Sequence, residues 1–391
     1  MMHWKILHLQ LCLGAVKKME NNNAQKTDRT ETVGLELYGH GGDLLTASRM
    51  YGLPPEQFVD FSSNMNPWGP QLSVKEQIVA YWPQIVHYPD PAARGLKQKL
   101  SSHYHIPASC ICVGNGAVEL IDLVVRAFCP EKTALLRPSF SEYELAILKS
   151  GGTTVDIWLQ EEHSFRLQQE DLQRALCEAD ALFIGQPNNP TGQLVPASWL
   201  IELADQGKLV IVDEAFIDFS AEERKRSLIQ KAAEHPHLIV LRSMTKFYAV
   251  PGIRLGFMVA TQERILEVER LQVPWSVNSL AQRIGEAVLE DRKFAEQTRQ
   301  WLEEERPWFS EKLSALGLKV MPSDANYLLL KLPAGWTAQD MQRGLGRRGI
   351  LIRDASRFPG LNESYCRVAI KKREDNLKLV EALERMLHET G

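Results

Sequence analysis

Seven short, largely apolar runs punctuate the middle of the chain, at 111–113, 133–136, 154–159 (interrupted by Asp156), 181–184, 209–212, 238–241 and 255–259. A strand that faces water on one side alternates apolar and polar residues, whereas a strand covered on both faces reads as a continuous apolar run. These runs therefore predict strands of a sheet with helices on both sides. Between them the period changes to that of a helix: 141–149 and 197–204 carry apolar residues on one face, and Leu120, Ile121, Leu123, Val124 and Phe128 repeat at helical spacing. Strand and helix in alternation predict an α/β fold built on a mostly parallel sheet. The polar-apolar segment 280–313 predicts one long helix leading into a smaller C-terminal α/β domain.

A chain of 391 residues exceeds the size at which a single core stops growing, so two domains are expected. The predicted division is an N-terminal arm at 39–70, a large domain at 71–275, and a linker helix with a small domain at 276–391. The first 38 residues differ from the rest. Residues 6–16 are apolar but interrupted by His8 and Gln10, too short to span a bilayer, and Lys17 and Lys18 lie behind them rather than before them as a signal peptide requires. Residues 20–32 are polar. A disordered extension is expected there, with Met19 as an alternative start and an ordered N-terminal helix as the competing reading.

Charge and cysteine usage narrow the function classes. A net charge of -4 leaves no basic footprint for nucleic acid. The six cysteines (Cys12, Cys110, Cys112, Cys129, Cys177 and Cys366) show neither zinc spacing nor the framework of a secreted protein. They read as reduced thiols, mostly in the core, and a cytoplasmic location is expected.

Chemistry concentrates where the apolar runs end. Lys246 follows the run 238–241 within Arg242-Ser243-Met244-Thr245-Lys246-Phe247, eight residues before Arg254 in Gly252-Ile253-Arg254-Leu255-Gly256. A lysine between hydroxyls, with an arginine held between glycines, can form a Schiff base with an aldehyde and neutralise a phosphate beside it, which reads as a pyridoxal phosphate (PLP) site. Asp213 ends the run 209–212, at the edge where ligands bind in open α/β sheets. A carboxylate there could hold a pyridine nitrogen protonated, since a pair about 4 Å apart at an effective dielectric of roughly 20 is worth about 4 kcal/mol before desolvation. Taken singly, Asp213 reads equally as a helix N-cap acid. Gly114-Asn115-Gly116-Ala117-Val118-Glu119 could bring backbone amides to a phosphate, or be an ordinary turn. Gln186-Pro187-Asn188-Asn189-Pro190-Thr191-Gly192 is a turn by composition in which Asn189 could offer its amide to a phenolate oxygen.

Asn-Pro-Thr-Gly at 189–192, Asp-Glu-Ala at 213–215, Ser-x-Thr-Lys at 243–246 and Gly-x-Arg-x-Gly at 252–256 stand in the order and spacing of fold-type I PLP enzymes, which the chain resembles over 39–390. It is most similar to the branch holding histidinol-phosphate aminotransferases and threonine-phosphate decarboxylases. His40-Gly41-Gly42, the stretches 60–67 and 213–219, 245–252 and 274–278 look like the decarboxylases of cobalamin biosynthesis. The resemblance implies that Lys246 forms the Schiff base and Asp213 pairs with the pyridine nitrogen. It further implies that Asn189 bonds the phenolate oxygen, that Gly116, Ala117, Ser243, Thr245 and Arg254 hold the phosphate, and that Phe140 stacks on the ring. Tyr88 would reach the phosphate of a neighbouring subunit, implying a homodimer with shared sites. Arg367 would hold the substrate carboxylate, with Arg353 and His40 serving an anionic, phosphorylated amino acid. Phe216 departs from the aminotransferases of this branch, which usually carry tyrosine there, and matches the decarboxylases. On their own, Arg353 and Arg367 read as edge-strand charges facing water, Phe140 as a core residue and Tyr88 as a turn tyrosine.

The implied activity is decarboxylation of L-threonine O-3-phosphate. The nearer alternative is transamination of histidinol phosphate. A remote one is a non-catalytic PLP-sensing module, which needs a DNA-binding domain that residues 1–38 are too short and polar to supply.

Overall fold

The structure is a computed structural model that describes Leu35 and residues 41–389. His40 and, Leu35 apart, the expectations for residues 1–38 lie outside the described residues. Residues up to Phe58 and residues from Val59 onward form two separate units. In the first, Asp43 caps the helix Leu44–Tyr51 by accepting a hydrogen bond from the Thr46 amide at 2.9 Å, and Gly52 closes it at φ 71°. That left-handed conformation costs a glycine little.

The second unit carries thirteen strands: β1 (Val59–Asp60), β2 (Ile111–Gly114), β3 (Lys132–Arg137), β4 (Thr153–Trp158), β5 (Ala181–Gly185), β6 (Leu209–Asp213), β7 (Leu238–Ser243), β8 (Gly256–Val259), β9 (Lys319–Val320), β10 (Tyr327–Lys331), β11 (Ile350–Leu351), β12 (Arg353–Asp354) and β13 (Tyr365–Ala369). Seven form the large sheet, in the order β2-β8-β7-β6-β5-β3-β4, and these are the seven apolar runs of the sequence. All neighbours are parallel except at β8, which runs antiparallel to β2 and β7. The fold is α/β with a mostly parallel sheet, as the pattern predicts. The interior strands β5, β6 and β7 are buried along nearly their whole length, so their apolar side chains leave water on both faces. Parallel alignment brings Arg137, Gly185, Asp213 and Ser243 to one edge of the sheet. Gly114 joins them, because β2 pairs with β8 through Gly114 and Gly256.

A four-stranded antiparallel sheet, β12-β13-β10-β9, follows in the C-terminal part, and β1 pairs in parallel with β11. β13 lies between β12 and β10, so Arg367 sits on an interior strand, opposite Leu329 and Arg353. Both arginines are buried, so neither faces water as each reads alone, although Arg353 does lie on the edge strand β12.

The segment 280–313 is two helices, Ser279–Val288 and Arg292–Ala315, rather than one. Asp291 makes the break: its carboxylate accepts from the Phe294 amide at 3.0 Å and starts a new helix, as Asn278 starts the first by accepting from the Ala281 amide at 2.8 Å. Among the described cysteines, Cys110, Cys112 and Cys366 are buried and Cys129 and Cys177 exposed, all five without a disulfide. No helix among the described residues is long and apolar enough to cross a membrane.

Candidate active site

Asp213 ends β6 buried, one oxygen accepting from the Tyr143 hydroxyl at 2.8 Å and the other from the Ala215 amide at 3.1 Å. Burial raises its pKa, while Lys246, the tyrosine hydroxyl and the amide pull the other way. Sequence reasoning missed Tyr143. Its place on the apolar face of the helix Ser141–Lys149 marks a core residue, and its stack on Phe183, 4.3 Å between centroids, is core packing. Only its hydroxyl reaches Asp213, a partner 70 residues away.

Lys246 lies in the one-turn helix Met244–Phe247 that follows β7. Its Nζ donates to Ser243 Oγ at 3.1 Å and stands 5.6 Å over the Phe216 ring. Part of the side chain stays accessible, yet burial lowers the pKa of its ammonium, Arg254 and Arg367 lower it further, and Asp213 opposes them. An amine held below its usual range by burial and two cations gives up its proton more readily than a free lysine, which suits a nucleophile or a base.

An anion cradle adjoins it. Gly116 precedes the helix Ala117–Phe128 at φ 82°, and no side chain caps that helix. A Cβ on Gly116 would strike the Arg254 guanidinium. One on Gly256 would meet the Ala117 nitrogen at 2.7 Å, so both positions need glycine for close approach. The Ser243 and Thr245 hydroxyls share a 2.8 Å hydrogen bond and complete a donor set of backbone amides, hydroxyls and a guanidinium. That set suits a phosphate at a helix N-terminus.

The candidate substrate side is built from the Asn189 turn and β13. Arg367 donates to Asn189 Oδ1 at 2.5 Å and to the Ser62 carbonyl at 2.7 Å, and its guanidinium lies 5.4 Å from the Tyr327 ring centroid. Tyr327, also missed from the sequence, donates to the Asn188 carbonyl at 2.8 Å and meets Phe216 edge-on at 5.0 Å. Arg353 is buried over Phe358 on the neighbouring strand. The stretch 60–67 passes between these parts: the Ser62 carbonyl holds Arg367, while the Asn66 amide donates to the Lys246 carbonyl at 3.0 Å and its side chain to the Phe247 carbonyl at 2.8 Å. Thus Lys246, Asp213, Ser243, Thr245, Asn189, Arg254 and Arg367 converge, with Gly116 against Arg254 and Ala117 against Gly256. Phe140 is half-buried at the start of the helix carrying Tyr143, edge-on to it at 5.6 Å. Tyr88 is 83% exposed and packs on Trp275 at 5.1 Å.

The family model for class I and II aminotransferases matches residues 56–383. The chain is 39% identical over 354 residues to a threonine-phosphate decarboxylase of Salmonella typhimurium, covering 89% of this chain and 96% of that protein. Among solved structures it resembles a histidinol-phosphate aminotransferase from Clostridium acetobutylicum, with TM-score 0.79, 31% identity, and coverage of 84% of this chain and 99% of the other. It also resembles an L-threonine-O-3-phosphate decarboxylase from Porphyromonas gingivalis, with TM-score 0.74, 26% identity and the same coverage.

Proposed function

We propose that this chain, which belongs to the class I and II aminotransferase family, is a PLP-dependent decarboxylase that converts L-threonine O-3-phosphate to (R)-1-aminopropan-2-yl phosphate and carbon dioxide in cobalamin biosynthesis. One arrangement carries the reading. A lysine of lowered pKa sits over a phenylalanine ring, near a buried carboxylate and a buried arginine, in a chain 39% identical to an enzyme named for that reaction.

The residues present fit the cofactor. Gly116, Ala117, Ser243, Thr245 and Arg254 would hold its phosphate, Asp213 its pyridine nitrogen, Asn189 its phenolate oxygen, Phe140 its ring face, and Lys246 would supply the amine that binds its aldehyde. When bound, PLP supplies an electron sink for the pair left as carbon dioxide departs. Tyr143 and the Ala215 amide orient Asp213 and favour its ionised form. Arg367 grips the substrate carboxylate through a planar fork already aimed by Asn189 and Ser62, and Arg353 adds charge for the substrate phosphate. Lys246 Nζ, polarised by the Ser243 hydroxyl, is the group in place to return a proton to the substrate α-carbon.

The deciding assay supplies L-threonine phosphate without a keto acid and follows carbon dioxide and aminopropanol phosphate, then supplies histidinol phosphate with 2-oxoglutarate. Turnover is expected in the first. Turnover only in the second would make the chain an aminotransferase.

A homodimer and a cytoplasmic location go with this reading. Leu72, Val79, Trp82, Val86, Tyr88 and Val273 are exposed apolar or aromatic side chains whose burial against a second copy would cover a large patch. Tyr88 would then reach the partner's phosphate site. Mixed Tyr88→Phe and Lys246→Ala subunits should recover activity, since the hybrid holds one complete site. Mixed Lys246→Ala and Arg367→Ala subunits should recover none, because both residues serve the same site. An active monomer would refute the shared site.

A further inference from the structure

We infer that Arg242 is a positioning residue whose guanidinium clamps the loop 214–227 to the end of β7 and thereby fixes Asp213 relative to Lys246. The inference rests on the proposed PLP reading and concerns a cluster that touches neither cofactor nor substrate. Arg242 is 1% exposed, and each of its nitrogens meets a different acid of that loop. Nε pairs with Glu214 at 3.0 Å, one terminal nitrogen with Asp218 at 2.8 Å, and the other with Glu223 at 2.5 Å and the Ser227 hydroxyl at 3.1 Å. Ser227 in turn donates at 2.7 Å to the same Glu214 oxygen that Nε meets, and the Leu228 amide donates to the other Glu214 oxygen at 2.7 Å.

The placement of these groups gives the cluster its purpose. Glu214 directly follows Asp213, Arg242 directly precedes Ser243, and β6 and β7 are adjacent parallel strands with the Glu214 amide bonded to the Leu241 carbonyl at 2.8 Å. Neighbouring residues at a strand end point to opposite sides. Asp213 and Ser243, the latter bonded to Lys246, accordingly face the candidate site, while Glu214 and Arg242 meet behind it. The cluster also reaches the long helix Arg292–Ala315, where Arg299 donates to the Asp218 carbonyl at 2.8 Å and lies 3.8 Å from Glu223. Tyr104 lies beneath the Arg242 guanidinium at 5.3 Å, Tyr248 is buried nearby, and burial holds His103 down to about 4, so it is neutral beside Glu223. A surface charge pair would not need three acids on one arginine. This one holds two catalytic loops at a common register.

The test uses the holoenzyme. Glu214→Gln keeps the shape and removes the charge, and Ser227→Ala, which removes a single hydroxyl, serves should the first fail to fold. If Asp213 slips from the pyridine nitrogen, the ring withdraws fewer electrons, and the pH midpoint of the bound cofactor's absorption moves up, by about one unit for Glu214→Gln and less for Ser227→Ala. kcat should fall about 10- to 100-fold with KM changed less than about 3-fold, because a small misplacement of a reacting group costs rate rather than binding. A purely structural cluster would lower the melting temperature alone. An unchanged midpoint in whichever variant folds overturns the inference. Borohydride fixation of cofactor to Lys246 in the unmutated protein tests the PLP reading separately.

Discussion

Lys246→Ala is expected to lower turnover of L-threonine phosphate by at least about 10⁴-fold, the scale on which removal of a covalent catalytic group acts. The same change should abolish borohydride attachment of the cofactor to the chain. The size of the effect follows from the surroundings. Burial lowers the pKa of Lys246, and Arg254 and Arg367 lower it further, so the free amine forms more readily than that of an exposed lysine. Asp213 opposes them. Lys246→Arg should be as inactive as the alanine variant, because a guanidinium restores the charge and not the nucleophile. Carbon dioxide release and mass mapping of the borohydride-treated protein measure both outcomes. Cofactor fixed to any other lysine, or turnover within tenfold of the unmutated protein, would remove Lys246 from its place in the reaction.

The large sheet was legible because burial on both faces writes itself as an apolar run; all seven runs are strands of that sheet, and the one interrupted by Asp156 is its partly exposed edge strand β4. The polar residues that end those runs were legible for a related reason. A parallel sheet puts its strand ends on one edge, so Asp213, Ser243 and the glycines before Ala117 had to lie near each other once the strands were placed. What the pattern could not carry was long-range pairing. Tyr143 and Tyr327 look like core residues, and their hydroxyl partners, Asp213 and the Asn188 carbonyl, are remote in sequence. Arg242 looks like any charge in a lysine-bearing loop until the sheet brings Glu214 to it. Arg353 and Arg367 read as water-facing charges because a single strand does not reveal its neighbours, and Arg353, though on the edge strand β12, is buried as well. Only the order β12-β13-β10 buries Arg367. The misread helix 280–313 is the opposite case, since Asp291 was present as a cap and the apolar spacing on either side masked it.

Arg367→Met is expected to cost about 2 to 5 kcal/mol in kcat/KM, roughly 30- to 5,000-fold, because it removes one partner of a desolvated ion pair with the substrate carboxylate. The Asn189 and Ser62 oxygens that hold the guanidinium are neutral, so they aim it without discharging it, and its field already reaches Lys246. Two effects should therefore appear together. Substrate capture weakens, and loss of a nearby cation lets the Lys246 pKa rise, which moves the acidic limb of the kcat/KM profile to higher pH. Arg367→Lys should restore the position of that limb while leaving most of the loss in kcat/KM, since a point charge lacks the fork that matches a carboxylate and cannot span Asn189 and Ser62 at once. Arg353→Met should weaken capture of the phosphorylated substrate with little movement of the limb, because Arg353 is not among the charges that shift Lys246. Carbon dioxide release measured across pH separates these outcomes. Arg367→Met with kcat/KM within threefold of the unmutated protein at every pH would place the substrate carboxylate elsewhere.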